Sequence, residues 1–402
     1  MKHLFCFCMA LICIFGQAHA CTTAVISGKY APGGRSMLWK VRDTESLHNK
    51  MMYFDDSKYA FIGLVNTEDS KGSQVWAGSN EVGFAIMNSA SFNVNLNDSS
   101  AIKDQEGFFM KKALGECATL ADFEALLAKT PKPMGLAAHF GVIDAQGGAA
   151  FYEVNNRTFV KFDANDPLTA PKGVVLRTNF SFTGEKDQGL GYCRFQTAQE
   201  LLAEGCADGK LTPRTFMQDY SRSFKNSFLQ IDYREQYQSL PAGQPRLINM
   251  NDLITRHETS SAILIEGVKD RESKDMNTIW VQVGYPETCA TFPLWVRAGK
   301  ELPSILTTDS ENKVALSDWA THWKERCFPI KTVEKERYLS INNLLNASGK
   351  GYLQRIEQVE EEIFDEVGQA QRNWEKKTPS VKELQAIYQN LSRKICSLYT
   401  ND

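Results

Sequence analysis

The sequence predicts an α+β domain built on antiparallel sheets. Three observations carry that expectation. Short β-rich runs recur with Gly, Pro, Asn and Asp turns between them, as hairpins require. Stretches with helical apolar spacing interrupt those runs. The composition, 43% hydrophobic and 23% charged over 402 residues, suits a folded chain with a large core. Disorder, low complexity and collagen-like repeats are excluded by the same figures. A formal net charge of −3 gives no broad electrostatic reason to bind nucleic acid or an anionic membrane.

In chain order, residues 1–20 come first. They combine a basic start at Lys2 and His3, an apolar run over 4–15 and the small-x-small site Ala18-His19-Ala20. That is the pattern of a secretory signal peptide, too short to anchor in a bilayer. Its removal discards Cys6, Cys8 and Cys13 and makes Cys21 the first residue of a secreted or periplasmic product. No later run is apolar for long enough to span a membrane. A leading cysteine also admits lipidation, although the usual Leu three residues earlier is Ala18 here. The other reading is an N-terminal nucleophile. A free α-amine, with a pKa of about 7.7–8.0, can act as a base at neutral pH. A free thiol, with a pKa of about 8.5, is only slightly ionised there, so an amine on the same residue is a ready activator.

Cys21 opens a strand reaching Ser27. A turn at 28–34 follows, and a second strand over 37–41 brings Lys40, Arg42 and Asp43 back beside the chain start. One or two cations and a carboxylate would then lie beside the thiol and the amine. Further strands are expected at 60–65, 73–77, 83–88, 139–143, 149–154, 158–162, 173–177, 261–267 and 277–283. Helical spacing marks 108–129, where Thr119 and Asp122 resemble a capping box, and 193–203. No repeat or flexible linker divides 21–330, which reads as one catalytic domain. In the segment 331–402, Ile356, Val359, Ile363 and Val367 share one helix face. Glu357, Glu360, Glu361 and Glu362 lie mostly opposite. Leu384, Ile387, Leu391, Ile395 and Leu398 repeat that pattern. The segment is expected to be a helical extension packed on the body, with a homo-oligomer interface as the alternative.

At this point the order of motifs is informative. A processed Cys21-Thr22, Arg42-Asp43 closing the first hairpin and Asn80-Glu81-Val82-Gly83-Phe84 come first. The run from His139 to Gly147, Thr178-Asn179, Arg194, and the run from Thr278 to Pro286 follow. Together they resemble the choloylglycine hydrolase and penicillin acyltransferase superfamily of N-terminal-nucleophile linear amide C–N hydrolases, over residues 21 to about 300. The resemblance implies a four-layer αββα sandwich with Cys21 as nucleophile and its amine as base. It implies that Asp43 hydrogen-bonds the N-terminus, that Asn179 is an oxyanion donor and that Arg194 orders the nucleophile or a carboxylate. Lys40 stands where the family commonly has Arg, and Val41 where it has Asn, so either Lys40 or Arg42 supports the sulfur. Ala90 stands where the bile-salt branch carries a second oxyanion donor; Asn88, on the same strand face, is a substitute.

The implied substrate is a small-molecule amide: a conjugated bile acid, an N-acyl amino acid or amine, or a penicillin-type side chain. Acyl transfer follows if an amine or thiol outcompetes water. No cofactor or metal is expected. The mature chain lacks Cys-x-x-Cys and His-x-x-x-His pairs, and it shows no phosphate loop or Gly-x-Ser-x-Gly elbow. His139 reads as a core residue. Two alternatives stand beside this reading: an N-terminal-cysteine dipeptidase, whose start also reads Cys-Thr-Thr, and a lipid-anchored, non-catalytic envelope protein. Segments 44–59, 66–72 and 89–107 are expected to rim the cleft. Six cysteines besides Cys21 (117, 193, 206, 289, 327 and 396) permit up to three bridges.

Overall fold

A computed structural model of the chain describes residues 20–332 and 336–400. The expected leader lies outside that range except for Ala20. The structure is α+β, with two large antiparallel sheets. The strands are β1 (Cys21–Ile26), β2 (Met37–Asp43), β3 (Asn49–Phe54), β4 (Phe61–Asn66), β5 (Ala77–Asn80), β6 (Ala85–Ala90), β7 (Ala138–Ile143), β8 (Ala149–Val154), β9 (Phe159–Asp163), β10 (Val174–Arg177), β11 (Thr259–Glu266), β12 (Thr278–Gln282) and β13 (Phe292–Leu294). The main helices are α1 (Glu106–Glu116), α2 (Leu120–Lys129), α3 (Tyr192–Asp208), α4 (Ala315–Cys327), α5 (Tyr352–Trp374) and α6 (Val381–Thr400).

One sheet runs β10-β1-β2-β11-β12-β13, and the other runs β3 to β9 in sequence order. In the first hairpin Cys21 pairs with Arg42 and Thr23 with Lys40. Directly opposed residues share a face, so these four side chains point the same way. That face meets the second sheet, where β1 and β2 pack on β6 and β7. The Thr23 hydroxyl lies 3.3 Å from Ser89 Oγ, and Lys40 Nζ donates to Asn88 Oδ1 at 2.7 Å. On the opposite face, Trp39 donates its indole N–H to Ser221 at 2.8 Å and packs on Phe216 and Tyr220.

Helices α1 and α2 cover the outer side of the second sheet, where Phe109, Met110, Leu114 and Phe123 join Phe140, Val142 and Tyr152 in one buried cluster. Thr119 caps α2 by accepting from the Asp122 N–H, and Asp122 returns the bond. Helix α3 packs on β1 and β10. Ile356, Ile363, Val367, Leu391 and Ile395 of α5 and α6 belong to the same core as Trp39 and Trp280. No described helix is long and apolar enough to cross a membrane.

Three local expectations are corrected, and one helix is added to them. The strand expected at 73–77 starts only at Ala77, because Val75 N–H bonds to the Gly107 carbonyl in the first turn of α1 instead of a neighbouring strand. Residues 49–54, expected as cleft rim, form the edge strand β3. Glu360, expected on the solvent face of α5, is fully buried, where Arg222 Nη1 donates to its Oε2 at 2.7 Å. Helix α4 was not expected, although Leu316, Ala320, Trp323 and Cys327 share one buried face.

Candidate active site

Cys21 sits at the first position of β1, 5% exposed. Its side chain lines a cavity of about 520 Å³ with Lys40, Arg42, Trp76, Asn88 and Glu106. Asp43 to Ser46, Asn66, Gln74, Ala90 to Phe92, Asp104 and Ala137 are further wall residues, so parts of the expected rims 44–59, 66–72 and 89–107 border it. A second cavity of about 550 Å³ lies on the Ala20 side, lined by Arg194 and Arg256; Thr44 and Glu45 line both.

The backbone of Cys21 is held at both ends of the residue. Its N–H donates to Asn179 Oδ1 at 3.0 Å. Its carbonyl accepts from Arg194 Nη1 at 2.7 Å, and the same nitrogen donates to Thr22 Oγ1 at 3.0 Å. Arg194 Nη2 donates to Asn179 Oδ1 at 2.7 Å, closing a ring of contacts around residue 21. Burial and the nearby Arg256 pull the Arg194 pKa down to about 10, yet it stays cationic at neutral pH. The loop before α3 makes room for it. Gly191 has φ +85°, and an added Cβ there would lie 2.5 Å from Arg194 Nη2.

Asn179 is fully buried, donates Nδ2–H to the Ala90 carbonyl at 2.9 Å and does not line the Cys21 cavity. Asn88 does line it. Lysine can only donate, so the contact with Lys40 fixes Asn88 with its oxygen toward Nζ and its amide nitrogen turned elsewhere.

Lys40 and Arg42 both line the Cys21 cavity. Lys40 Nζ is clamped by Asn88 Oδ1 and by the Trp76 carbonyl at 2.8 Å. Burial drives its pKa down to about 7; the Cys21 sulfur acts to raise it and Arg42 to lower it. Arg42 donates to Asn49 Oδ1 at 2.8 Å and lies 4.6 Å from the Trp76 ring centroid, its pKa lowered by burial to about 10.

Asp43 is placed differently from expectation. Its carboxylate accepts from Arg256 Nε at 3.1 Å and from the Thr259 hydroxyl, while its backbone N–H donates to the Ala20 carbonyl at 2.7 Å. The Cys21 nitrogen is an amide in the uncleaved chain and carries no charge to attract a carboxylate. Arg256 was missed at the sequence level because it lies more than 200 residues from its partner, in a segment without a motif. Glu153 was missed likewise. It accepts from Arg177 Nε at 2.7 Å and from the Phe182 and Thr183 N–H groups at 2.9 and 2.8 Å, tying down the loop after Asn179.

His139 is a core residue, as read from the sequence. Its ring nitrogens lie 2.8 Å from Ser89 Oγ and 2.9 Å from Ser181 Oγ, and burial lowers its pKa to about 3. The seven described cysteines are all free thiols.

No family model and no curated protein matches the chain. Solved structures do show likenesses. A mutant of conjugated bile acid hydrolase from Clostridium perfringens is 14% identical with a TM-score of 0.42, over 69% of this chain and 93% of that one. The Caenorhabditis elegans ortholog of N-acylethanolamine-hydrolyzing acid amidase is 15% identical with a TM-score of 0.36, over 48% and 86%. Penicillin V acylase from Agrobacterium tumefaciens is 14% identical with a TM-score of 0.35, over 68% and 86%. At such identities and scores the chemistry open to this chain follows from its own side chains.

Proposed function

We propose that this chain is an exported N-terminal-cysteine amidohydrolase acting on non-peptide linear amides. In this reading residues 1–20 are removed, 21–330 form a catalytic αββα sandwich and 331–402 a C-terminal helical extension. The observation that carries the proposal is the setting of Cys21. A thiol at the first strand position lines a cavity beside two buried cations, with its nitrogen and carbonyl each held by a dedicated side chain.

Cleavage before Cys21 would convert its nitrogen to an amine while Asn179 Oδ1 still orients it. The amine takes the thiol proton and the sulfur attacks the amide carbonyl, with Lys40 and Arg42 stabilising negative charge. Asn88 is the better-placed side-chain donor for the resulting oxyanion, because it lines the cavity and Asn179 does not. Asn179 and Arg194 are positioning residues. As the C–N bond breaks, the α-ammonium protonates the leaving amine and a thioester remains. Water then gives its proton to the amine and attacks the thioester. The C–S bond breaks, releasing the acid and restoring the thiol. An amine or thiol entering in place of water gives acyl transfer.

The test is turnover of an amide panel (conjugated bile acids, N-acyl amino acids, N-acyl amines and penicillin V) by exported protein. Cys21-dependent release of acid supports the reading; full turnover by Cys21→Ser overturns it.

A further inference from the structure

A third cavity, of about 640 Å³, lies between β9, β10 and α3 and shares no residue with the Cys21 cavity. Phe162, Val174, Phe182, Phe195, Leu202 and Cys206 form its apolar walls. Two further wall residues, Lys172 and Arg177, are cationic, and no wall residue is acidic.

Arg177 is the unusual member. It is 2% exposed and its guanidinium carbon lies 4.4 and 4.1 Å from the Phe162 and Phe182 ring centroids. Nε donates to Glu153, and Nη1 donates to the Leu176 carbonyl at 2.7 Å. Nη2 is buried without a hydrogen-bond partner. An unmet guanidinium N–H inside a protein is costly, and an anionic acceptor relieves it best. Glu153 balances the charge of Arg177 from behind, so Lys172 at the exposed rim supplies the net positive field. Phe182, 57% exposed, covers the guanidinium and rests against Phe180 and Phe195, so a ligand reaches Nη2 only as that ring turns aside. Large exposed apolar hollows with one convergent polar group are typical of ligand sites.

We propose that this cavity binds a free single-chain aliphatic carboxylate. Its head group is taken by Arg177 Nη2 and the field of Lys172, and its tail by the aromatic and aliphatic walls. Because Cys206 forms part of the wall, occupancy should shield its thiol. Cys193 and Cys396, partly buried elsewhere, serve as internal controls.

The experiment is alkylation of the full exported chain, followed residue by residue by peptide mass spectrometry, with monomeric dodecanoate as the probe. With dodecanoate at about ten times its Kd, Cys206 labelling should slow about tenfold while Cys193 and Cys396 stay unchanged. Arg177→Lys, which keeps a charge for Glu153 but removes Nη2, should lose the protection. Lys172→Glu, on the surface, should weaken it several-fold even if Arg177→Lys fails to fold. Equal protection by dodecanol or dodecyltrimethylammonium would overturn the proposal. So would unchanged Cys206 labelling, or protection only by vesicles of anionic phospholipid. Amide turnover plays no part in this readout, so its outcome is independent of the role of Cys21.

Discussion

Asn179 Oδ1 accepts the hydrogen bond of the Cys21 backbone N–H at 3.0 Å, across 158 residues of sequence. The same oxygen accepts from Arg194, which also holds the Cys21 carbonyl. Residue 21 is thus fixed from two directions by side chains that do not themselves line its cavity.

That arrangement makes Arg194 a geometric device. Lysine at 194 supplies charge but cannot bridge Cys21, Thr22 and Asn179 at once. Arg194→Lys should lower kcat by about 10²-fold with little change in KM, as misplacement by about an ångström does. Gly191→Ala, which drives a methyl into the guanidinium, should do the same. Steady-state kinetics with circular dichroism as a fold control checks both.

Lys40 sets a pH limit. Its pKa, lowered by burial to about 7, means that the cation is lost as pH rises through that value. Activity that depends on the charge should fall on the alkaline side of about pH 7. Lys40→Arg should keep the charge and move that limb upward, whereas Lys40→Met should depress kcat across the range. The sign for stability is opposite to that for activity. The unfolded chain holds the proton up to the usual lysine range, so stability rises with pH above about 7 as the buried charge is relieved. A pH–rate profile paired with denaturant midpoints separates the two effects.

Asn88 is proposed to face the developing oxyanion. Asn88→Ala should cost about 10²–10³ in kcat, the usual loss for one such donor. A loss confined to KM would instead make it a ground-state contact.

Arg222 and Glu360 form a fully buried ion pair between the chain before β11 and helix α5. Glu360 also accepts from the Thr291 N–H at 2.7 Å. Removing one partner strands a charge, so Glu360→Ala should destabilise the fold by about 3–5 kcal/mol, read by chemical denaturation.

Much of this was legible in the sequence, for physical reasons. The first hairpin follows from its turn residues and from the return of Lys40, Arg42 and Asp43 beside Cys21. The Thr119 cap and the α5 and α6 periodicity follow from local rules. What stayed hidden is long-range. Asp43 borders the Cys21 cavity, but its carboxylate is taken up by Arg256 and Thr259, which come from the chain just before β11 and from its first residue. Glu360 is drawn into the core by Arg222, against the local helical pattern. Asn88 and Asn179 were both legible as donors, but which of them lines the cavity is decided by packing between the sheets.

The central claim is that Cys21, freed at its amine, is the acyl acceptor. Intact-mass spectrometry of the exported, active protein with a slowly deacylated amide substrate tests it most directly. The account predicts a chain beginning at Cys21 and carrying one acyl group, mapped to that residue as a thioester. An active enzyme that keeps residues 1–20, bears a diacylglyceryl group on Cys21, or carries the acyl group elsewhere would contradict it.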